Sequence, residues 1–428
     1  MSGRLVLALI VGALLLSSPS GAQLRGHGGP VRAVAVSGDG KLAVSGSFDT
    51  SAIRWSLERD SAEQVLRFHD TAVNAVTVLP DGRMATASQD GRIGVWRNGE
   101  ERPETIFEGH QGPVVALTAS PDGATLASAS WDRTVRLWPL DGREPRILEG
   151  HEGNVNGVAF TPDGRAVVSA GYDFTLRLWP LNGDTPTVVT LPAPISSVTL
   201  APDGEIIAGG ADGTVYFLSP SGELRDQVKA HPAPLIAVAV SKDGALVAAA
   251  GIQSSIWILE RSSRKIARTL TGRGLPVWSV AFLPDSHTLL TGGADRTVRR
   301  WNALTGEEIG TAVAPGVDDL LAAYAGDRGA EVYRACVACH TLTADSGNSA
   351  GPTLAGIFGR RIATLPGYNF SPALKQLDIV WTPETVSRLF EIGPAAYTPG
   401  TKMPEQRIVS PDDREALVRF LEKATRAR

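Results

Sequence analysis

Through most of the chain one pattern returns at a nearly fixed interval, and that interval limits what the chain can fold into more than any other feature. The blocks FDTSAIRW, QDGRIGVW, WDRTVRLW, YDFTLRLW, ADGTVYFL, IQSSIWIL and ADRTVRRW align on Asp49, Asp90, Asp132, Asp173, Asp212, Gln253 and Asp295. Successive gaps are 41, 42, 41, 39, 41 and 42 residues. Six residues after each aligned position stand Trp55, Trp96, Trp138, Trp179, Leu218, Leu259 and Trp301. A histidine lies upstream in five of the seven blocks, at His27, His69, His110, His151 and His231. Between these marks run short alternating apolar stretches such as AVAV, VVAL and GVAF, cut by Pro-Asp-Gly and similar turns. Alternation with period two and frequent turns reads as short antiparallel strands, and a fixed period of this length reads as a repeat architecture.

These blocks resemble the WD-repeat family over residues 24 to 313. The resemblance implies four strands per unit and a seven-bladed β-propeller. It also implies a buried network in each blade, which in the third would join Asp132, His110, Ser128 and Trp138. The physical reason is general: polar groups under a turn must be paired when buried, and an imidazole between a carboxylate and a hydroxyl pairs on both nitrogens. Metal or cofactor ligation by these histidines is disfavoured, because they recur blade by blade and do not cluster. The fifth block lacks both histidine and tryptophan. The sixth has Gln253 for the aspartate and its tryptophan at Trp257, and the seventh has Arg273 near the histidine position. Two segments compete to close the ring, EEIGTAV at 307–313 and QLRG at 23–26.

After residue 315 the strand rhythm stops. The segment DDLLAAYAGDRGAEVYRACVACH has helical spacing. So does SPDDREALVRFLEKATRAR, where Ser410 is placed as an N-cap, Pro411 as the first helical residue, and Ala416, Leu417, Phe420 and Leu421 as one apolar face. The chain is therefore read as multidomain: an all-β seven-bladed propeller at 23–314, a linker at 315–321 and a small all-α domain at 322–428.

That last domain holds the only two cysteines of the chain, Cys336 and Cys339, with His340 directly after them. Cys-Xaa-Xaa-Cys-His is a c-type haem attachment site: two thiols reach two vinyl groups of one porphyrin and the adjacent imidazole reaches the iron. A thioredoxin-like redox pair would want a βαβ setting. A structural zinc site would want four ligands. Downstream, GPTLAGIFGRR, PGYNFSPAL, IVWTPETV and YTPGTKMP follow in order, and with the attachment motif they resemble class I cytochromes c over residues 322 to 425.

By this resemblance Cys336 and Cys339 carry the thioether bonds of one covalent haem c, His340 is the proximal ligand and Met403 the distal one. Pro352 offers the carbonyl that orients the imidazole. Arg360, Tyr368, Trp381 and Thr401 match positions near the haem propionates. Two family hydroxyls are replaced by Phe370 and Phe390, which makes the expected pocket more apolar.

A His/Met pair leaves no open iron position, so the resemblance implies one-electron transfer and not catalysis. The propeller is then expected to dock an unnamed redox donor or acceptor, or another protein partner. Two enzyme-class readings compete: a propeller with its own cofactor, as in quinoprotein dehydrogenases, and a peroxidase or sensor opened by Met403 dissociation. The histidine inventory disfavours the first, since of seven histidines only His287 has no place in a blade or on iron.

The first residues, MSGRLVLALIVGALLLSSPSGAQ, set Arg4 before an apolar run and end it with small residues. This is the layout of a signal peptide at 1–22 cut near Ala22, and it predicts a periplasmic protein. The run, about 12 residues, is short against the ~20 needed to span a bilayer. A formal net charge of -4 gives no basic surplus for nucleic acid, and few lysines besides Lys375 and Lys402 are candidates to steer an acidic partner.

Overall fold

The computed structural model describes residues 23–231, 233–251, 255–271, 276–310 and 321–426, the last span without 334–335, 337–339, 344–351, 367, 369, 371, 400, 402, 404–407 and 409. The signal peptide read at 1–22 and all of the linker but Leu321 lie outside the described residues.

Seven antiparallel sheets follow one another along the chain, six of them with four strands in sequential order. The first runs Val31–Val36, Leu42–Ser47, Ser51–Ser56 and Ser61–Arg67. First strands of successive sheets pack against each other, and that of the seventh, Val277–Phe282, packs back on Val31–Val36. The sheets are thus the blades of a closed ring, as the period predicted. Burial is greatest on the second strands, such as Leu246–Gly251, which is buried throughout. Their Ala, Gly and Ser residues let neighbouring sheets approach closely. Fourth strands such as Leu224–Lys229 are largely exposed and polar, as befits a rim.

Both candidate segments close the ring. In the seventh sheet, Leu24 and Arg25 pair with Val298 and Thr297, while Ile309 and Glu308 pair with Arg300 and Trp301. The outer strand of that blade is assembled from two remote pieces of chain, and Leu24, 1% exposed, is buried beside Trp55 and Leu290.

The blade network forms as expected. In the third blade, His110 Nδ1 lies 2.7 Å from Asp132 Oδ2 and Nε2 lies 2.7 Å from Ser128 Oγ, which also accepts from Trp138 Nε1 at 2.8 Å. A carboxylate only accepts, so Nδ1 donates, Nε2 accepts from the serine, and the serine accepts from the indole. Blades one, two and four repeat the chain with His27, His69 and His151.

Where the histidine is missing, the residue four after the aspartate takes over. Tyr216 donates to Asp212 at 3.1 Å, and Arg299 Nε donates to Asp295 at 2.6 Å. Gln253 and Arg273 lie outside the described residues. His231 departs from the pattern: its Nδ1 accepts from the Ala233 amide at 2.8 Å, and its ring packs on Trp257 with centroids 4.2 Å apart.

The C-terminal part is helical. Its first segment is not one continuous helix: a single turn at Ala322–Tyr324 is followed by Gly326 at φ +81°, and a helix at Arg328–Tyr333 starts afresh under Asp327, whose carboxylate accepts from the Gly329 and Ala330 amides. The last helix, Pro411–Ala424, is capped by Ser410, whose side chain accepts from Asp413 N. Its expected apolar face of Ala416, Leu417, Phe420 and Leu421 is buried. These two helices cross at Gly329, where a Cβ would come within 2.1 Å of the Ala416 carbonyl oxygen. A third helix, Pro383–Ile392, packs on the last one and opens with a Thr382/Thr385 capping box. Leu321, Tyr333, Leu354, Phe390, Leu417 and Phe420 share one apolar core.

Candidate haem site

The attachment motif begins where the helix Arg328–Tyr333 ends. Cys336 N donates to Tyr333 O at 2.7 Å and His340 N to Cys336 O at 2.9 Å. Cys336 is buried in the helical core, and Met403, Trp381 and Tyr397 pack against that same core. The fold therefore gathers residues 67 apart in sequence, from 336 to 403, around one apolar cluster. Cys339 lies outside the described residues.

His340 is held from two sides. Its Nδ1 lies 2.8 Å from the carbonyl oxygen of Pro352. A carbonyl can only accept, so Nδ1 carries the proton and Nε2 keeps a free lone pair. Burial pushes the imidazole pKa down, against the Pro352 contact, which favours the neutral form that a metal needs. Tyr333 adds a contact absent from the sequence reading: its hydroxyl donates to the His340 carbonyl at 3.0 Å. The seven-residue spacing was visible, but nothing in it marked a side chain turned back onto the motif's own backbone. The Leu354 amide donates to Thr341 O at 2.8 Å and ties the Pro352 segment to the motif.

Arg360 donates to the carbonyls of Ala355 and Thr353, at 3.1 and 3.0 Å. Among the described residues no carboxylate pairs with it, and burial lowers its pKa. A partly buried guanidinium held only by carbonyls suits a group that brings its own acid, as a haem propionate does. Trp381 is bound through its backbone to the Arg360 segment, donating to Arg360 O at 2.9 Å and accepting from Gly359 N at 2.8 Å. Thr401 accepts from the Met403 amide at 3.1 Å and so fixes the backbone that carries the thioether. Tyr368 packs edge-to-face on Phe370 at 4.7 Å. Phe390, 6% exposed, is an apolar core residue, as its lack of a hydroxyl predicted. The donor set of one neutral imidazole and one thioether, in a domain whose Arg360 pairs with no carboxylate among the described residues, fits haem.

Ring and site together define a β-propeller protein that carries a haem-type helical domain. The comparisons with known proteins divide the chain in the same way. The WD domain, G-beta repeat family matches residues 19–56, 61–97, 101–139, 142–180, 186–218 and 264–302, and the Cytochrome c family matches 326–425. The sixth blade, whose aspartate is replaced by Gln253, is the one left without a match of its own, yet its four strands are formed.

Cytochrome c of Cochliobolus lunatus is 41% identical over 100 residues, 23% of this chain and 92% of that protein. Cytochrome c of Arabidopsis thaliana is 41% identical over 100 residues, again 23% of this chain and 88% of that protein. That of Gibberella zeae is 36% identical over 100 residues and 93% of its length. The chain belongs to the WD-repeat family through its propeller and to the cytochrome c family through its C-terminal domain. The latter makes that domain a haem electron carrier. Among the described residues no helix is long and apolar enough to cross a membrane.

Proposed function

We propose that this is an exported, periplasmic electron-transfer protein in which Cys336 and Cys339 hold one covalent haem c, His340 and Met403 are the axial ligands, and the propeller docks a redox partner. The observation that carries the reading is the pairing of His340 Nδ1 with the Pro352 carbonyl, which leaves Nε2 unprotonated for iron, in a domain whose Arg360 has no carboxylate partner among the described residues. When bound, the haem supplies a one-electron couple, with the thioether favouring the ferrous side.

The chain's own residues set the conditions. The Pro352 carbonyl fixes tautomer and ring orientation. Arg360 supplies fixed positive charge. Phe390 and the rest of the apolar cluster exclude water and leave few dipoles to reorganise when charge changes. No second function needs to be assigned to His27, His69, His110 and His151, which are occupied by the networks described above.

The test is the visible and near-infrared spectrum of the full chain made in a periplasm with haem-attachment machinery. The expected result is haem that stays with the polypeptide under denaturation, with a methionine-to-iron charge-transfer band and an N-terminus at Gln23 by mass spectrometry. Extractable haem would overturn the covalent reading. High-spin iron without the band would overturn the His340/Met403 pair and favour a ligand-binding function.

A further inference from the structure

The ring axis holds a cavity of about 710 Å³ lined by residues from the first strands of all seven blades. The second residue of each of these strands faces it, and in the first blade that residue is Arg32. Arg32 is the one charged residue of the lining, and no carboxylate accompanies it there. Among the described residues it has no hydrogen-bond or ion-pair partner. Burial lowers its pKa while nearby Tyr172 raises it, and a guanidinium stays charged at any physiological pH. An uncompensated cation in a partly desolvated channel is costly unless an anion meets it.

The remaining lining says what that anion is attached to. Asn74 and Asn156, at the same strand position as Arg32, bring amide groups to the channel wall. Above them the strand-to-strand turns bring Phe48, Trp131 and Tyr172, which stay 40%, 44% and 46% exposed. Trp278 packs on Phe48 with centroids 5.1 Å apart, and Trp131 is fixed by donating Nε1 to Asn156 Oδ1 at 3.0 Å. These aromatics come from blades one, three, four and seven, whereas the fifth blade has Ala211 at the turn position. The mouth therefore carries four aromatic side chains around a channel with a single cation. Its volume falls within the roughly 300–1,000 Å³ of small-ligand pockets.

We propose that the propeller channel is a binding site for a carboxylate carried on an aromatic or branched apolar body, with Arg32 as the anion contact and Trp131, Tyr172 and Trp278 as the apolar wall. The proposal goes beyond the electron-carrier reading and does not depend on it.

The experiment titrates the haem-loaded full chain by calorimetry with phenylacetate and with its neutral isostere phenylacetamide. A second pair of probes is a capped hexapeptide containing Phe-Glu and the same peptide with Phe-Gln. Charged probes are expected to bind at least about tenfold tighter than neutral ones, and Arg32→Met to abolish the difference. Binding of phenylacetate assigns the site to a free organic acid, and binding of the Phe-Glu peptide alone assigns it to an acidic protein segment. Trp131→Ala should weaken both charged and neutral probes, which keeps the proposal testable if Arg32→Met misfolds. Equal binding of charged and neutral probes, unchanged binding by Arg32→Met, or no binding of any probe would overturn it. The haem spectrum should be the same in every variant, so failure here is distinct from failure of the electron-carrier reading.

Discussion

The Pro352 carbonyl oxygen lies 2.8 Å from His340 Nδ1, and this contact decides which nitrogen of the ring can meet iron. For Met403, the proposed distal ligand, Thr401 fixes the backbone, Phe390 offers no hydroxyl, and among the described residues no hydrogen bond restrains the sulfur. In the proposed reading the proximal ligand would thus be held by a directed hydrogen bond and the distal one by packing.

Met403→Ala is accordingly expected to leave covalent haem in place and to open the iron. The methionine charge-transfer band should vanish, and carbon monoxide should bind the reduced protein rapidly. The midpoint potential should fall, because the thioether is what favours ferrous iron. A variant that keeps the band would show that another residue is the distal ligand.

Arg360 carries charge and also ties two carbonyls, and the two roles separate by substitution. Arg360→Met removes a cation near the proposed haem, so the reduced state loses stabilisation and the potential should drop. It also strips the Ala355 and Thr353 carbonyls of their donor, at about 1–3 kcal/mol of domain stability. Arg360→Lys should keep more of the potential than of the stability, since an ammonium lacks the two-pronged reach. Redox titration and thermal melting together check this. Equal potentials for all three proteins would place Arg360 away from the haem.

In the third blade, Ser128 stands between His110 Nε2 and Trp138 Nε1. Ser128→Ala strands two buried polar groups and should cost about 1–3 kcal/mol for each. Ser128→Thr should be tolerated, because Thr86 and Thr291 receive the indole at the same register in blades two and seven. Urea midpoints of the two variants give the comparison. Equal losses would mean that shape, and not the hydroxyl, matters there.

The ring, the four-residue network and the haem motif were legible because each depends on a spacing that the chain states outright: a period near 41, an aspartate six before a tryptophan, a histidine next to a cysteine. The stand-ins Tyr216 and Arg299 were harder. Each replaces a histidine more than twenty residues earlier in the other blades, and they can do so because the strand after the aspartate runs back under it. The clue was present as a coincidence, since both stand four residues after their aspartate in blades that lost the histidine. Ring closure was undecidable because Leu24–Arg25 and Glu308–Ile309 each supply only half a strand, too little pattern for either to read as one. Tyr333 was missed because its partner is a backbone carbonyl, which no residue type announces.

Gly329 shows how a packing constraint hides in a small residue. Its missing side chain lets the helix Arg328–Tyr333 meet Pro411–Ala424 at backbone distance, with Ala416 O and Phe420 Cβ at 2.1 and 2.5 Å from where a Cβ would be. The obstacle is backbone and cannot rotate away. Gly329→Ala should therefore destabilise the helical domain by about 3 kcal/mol despite its better helix propensity. Melting followed at the haem Soret band tests it, and an unchanged midpoint would mean that the helices separate freely.

The blade networks also set how the propeller responds to acid. Burial raises the Asp49 carboxyl, but His27 and Ser51 outweigh it and hold the group at about 2. That is below its unfolded value near 3.8, so the folded state keeps the charge longer, and the stabilisation is full above that value and lost as pH falls through about 2. For one such group it is on the order of 2 kcal/mol. Asp90, Asp132 and Asp173 shift in the same direction for the same reason. His151 acts earlier: burial lowers its pKa below the ordinary 6.5, so the unfolded chain takes the proton first and stability declines as pH drops below 6.5. Urea midpoints read by tryptophan fluorescence should thus be flat near pH 7 to 8, sag below 6.5 and fall steeply below about 4. Asp49→Asn should flatten the steep limb at a cost in stability at neutral pH, because the amide keeps the shape of the network but not its charge. A stability maximum in the acid range would contradict this account of what holds the blades.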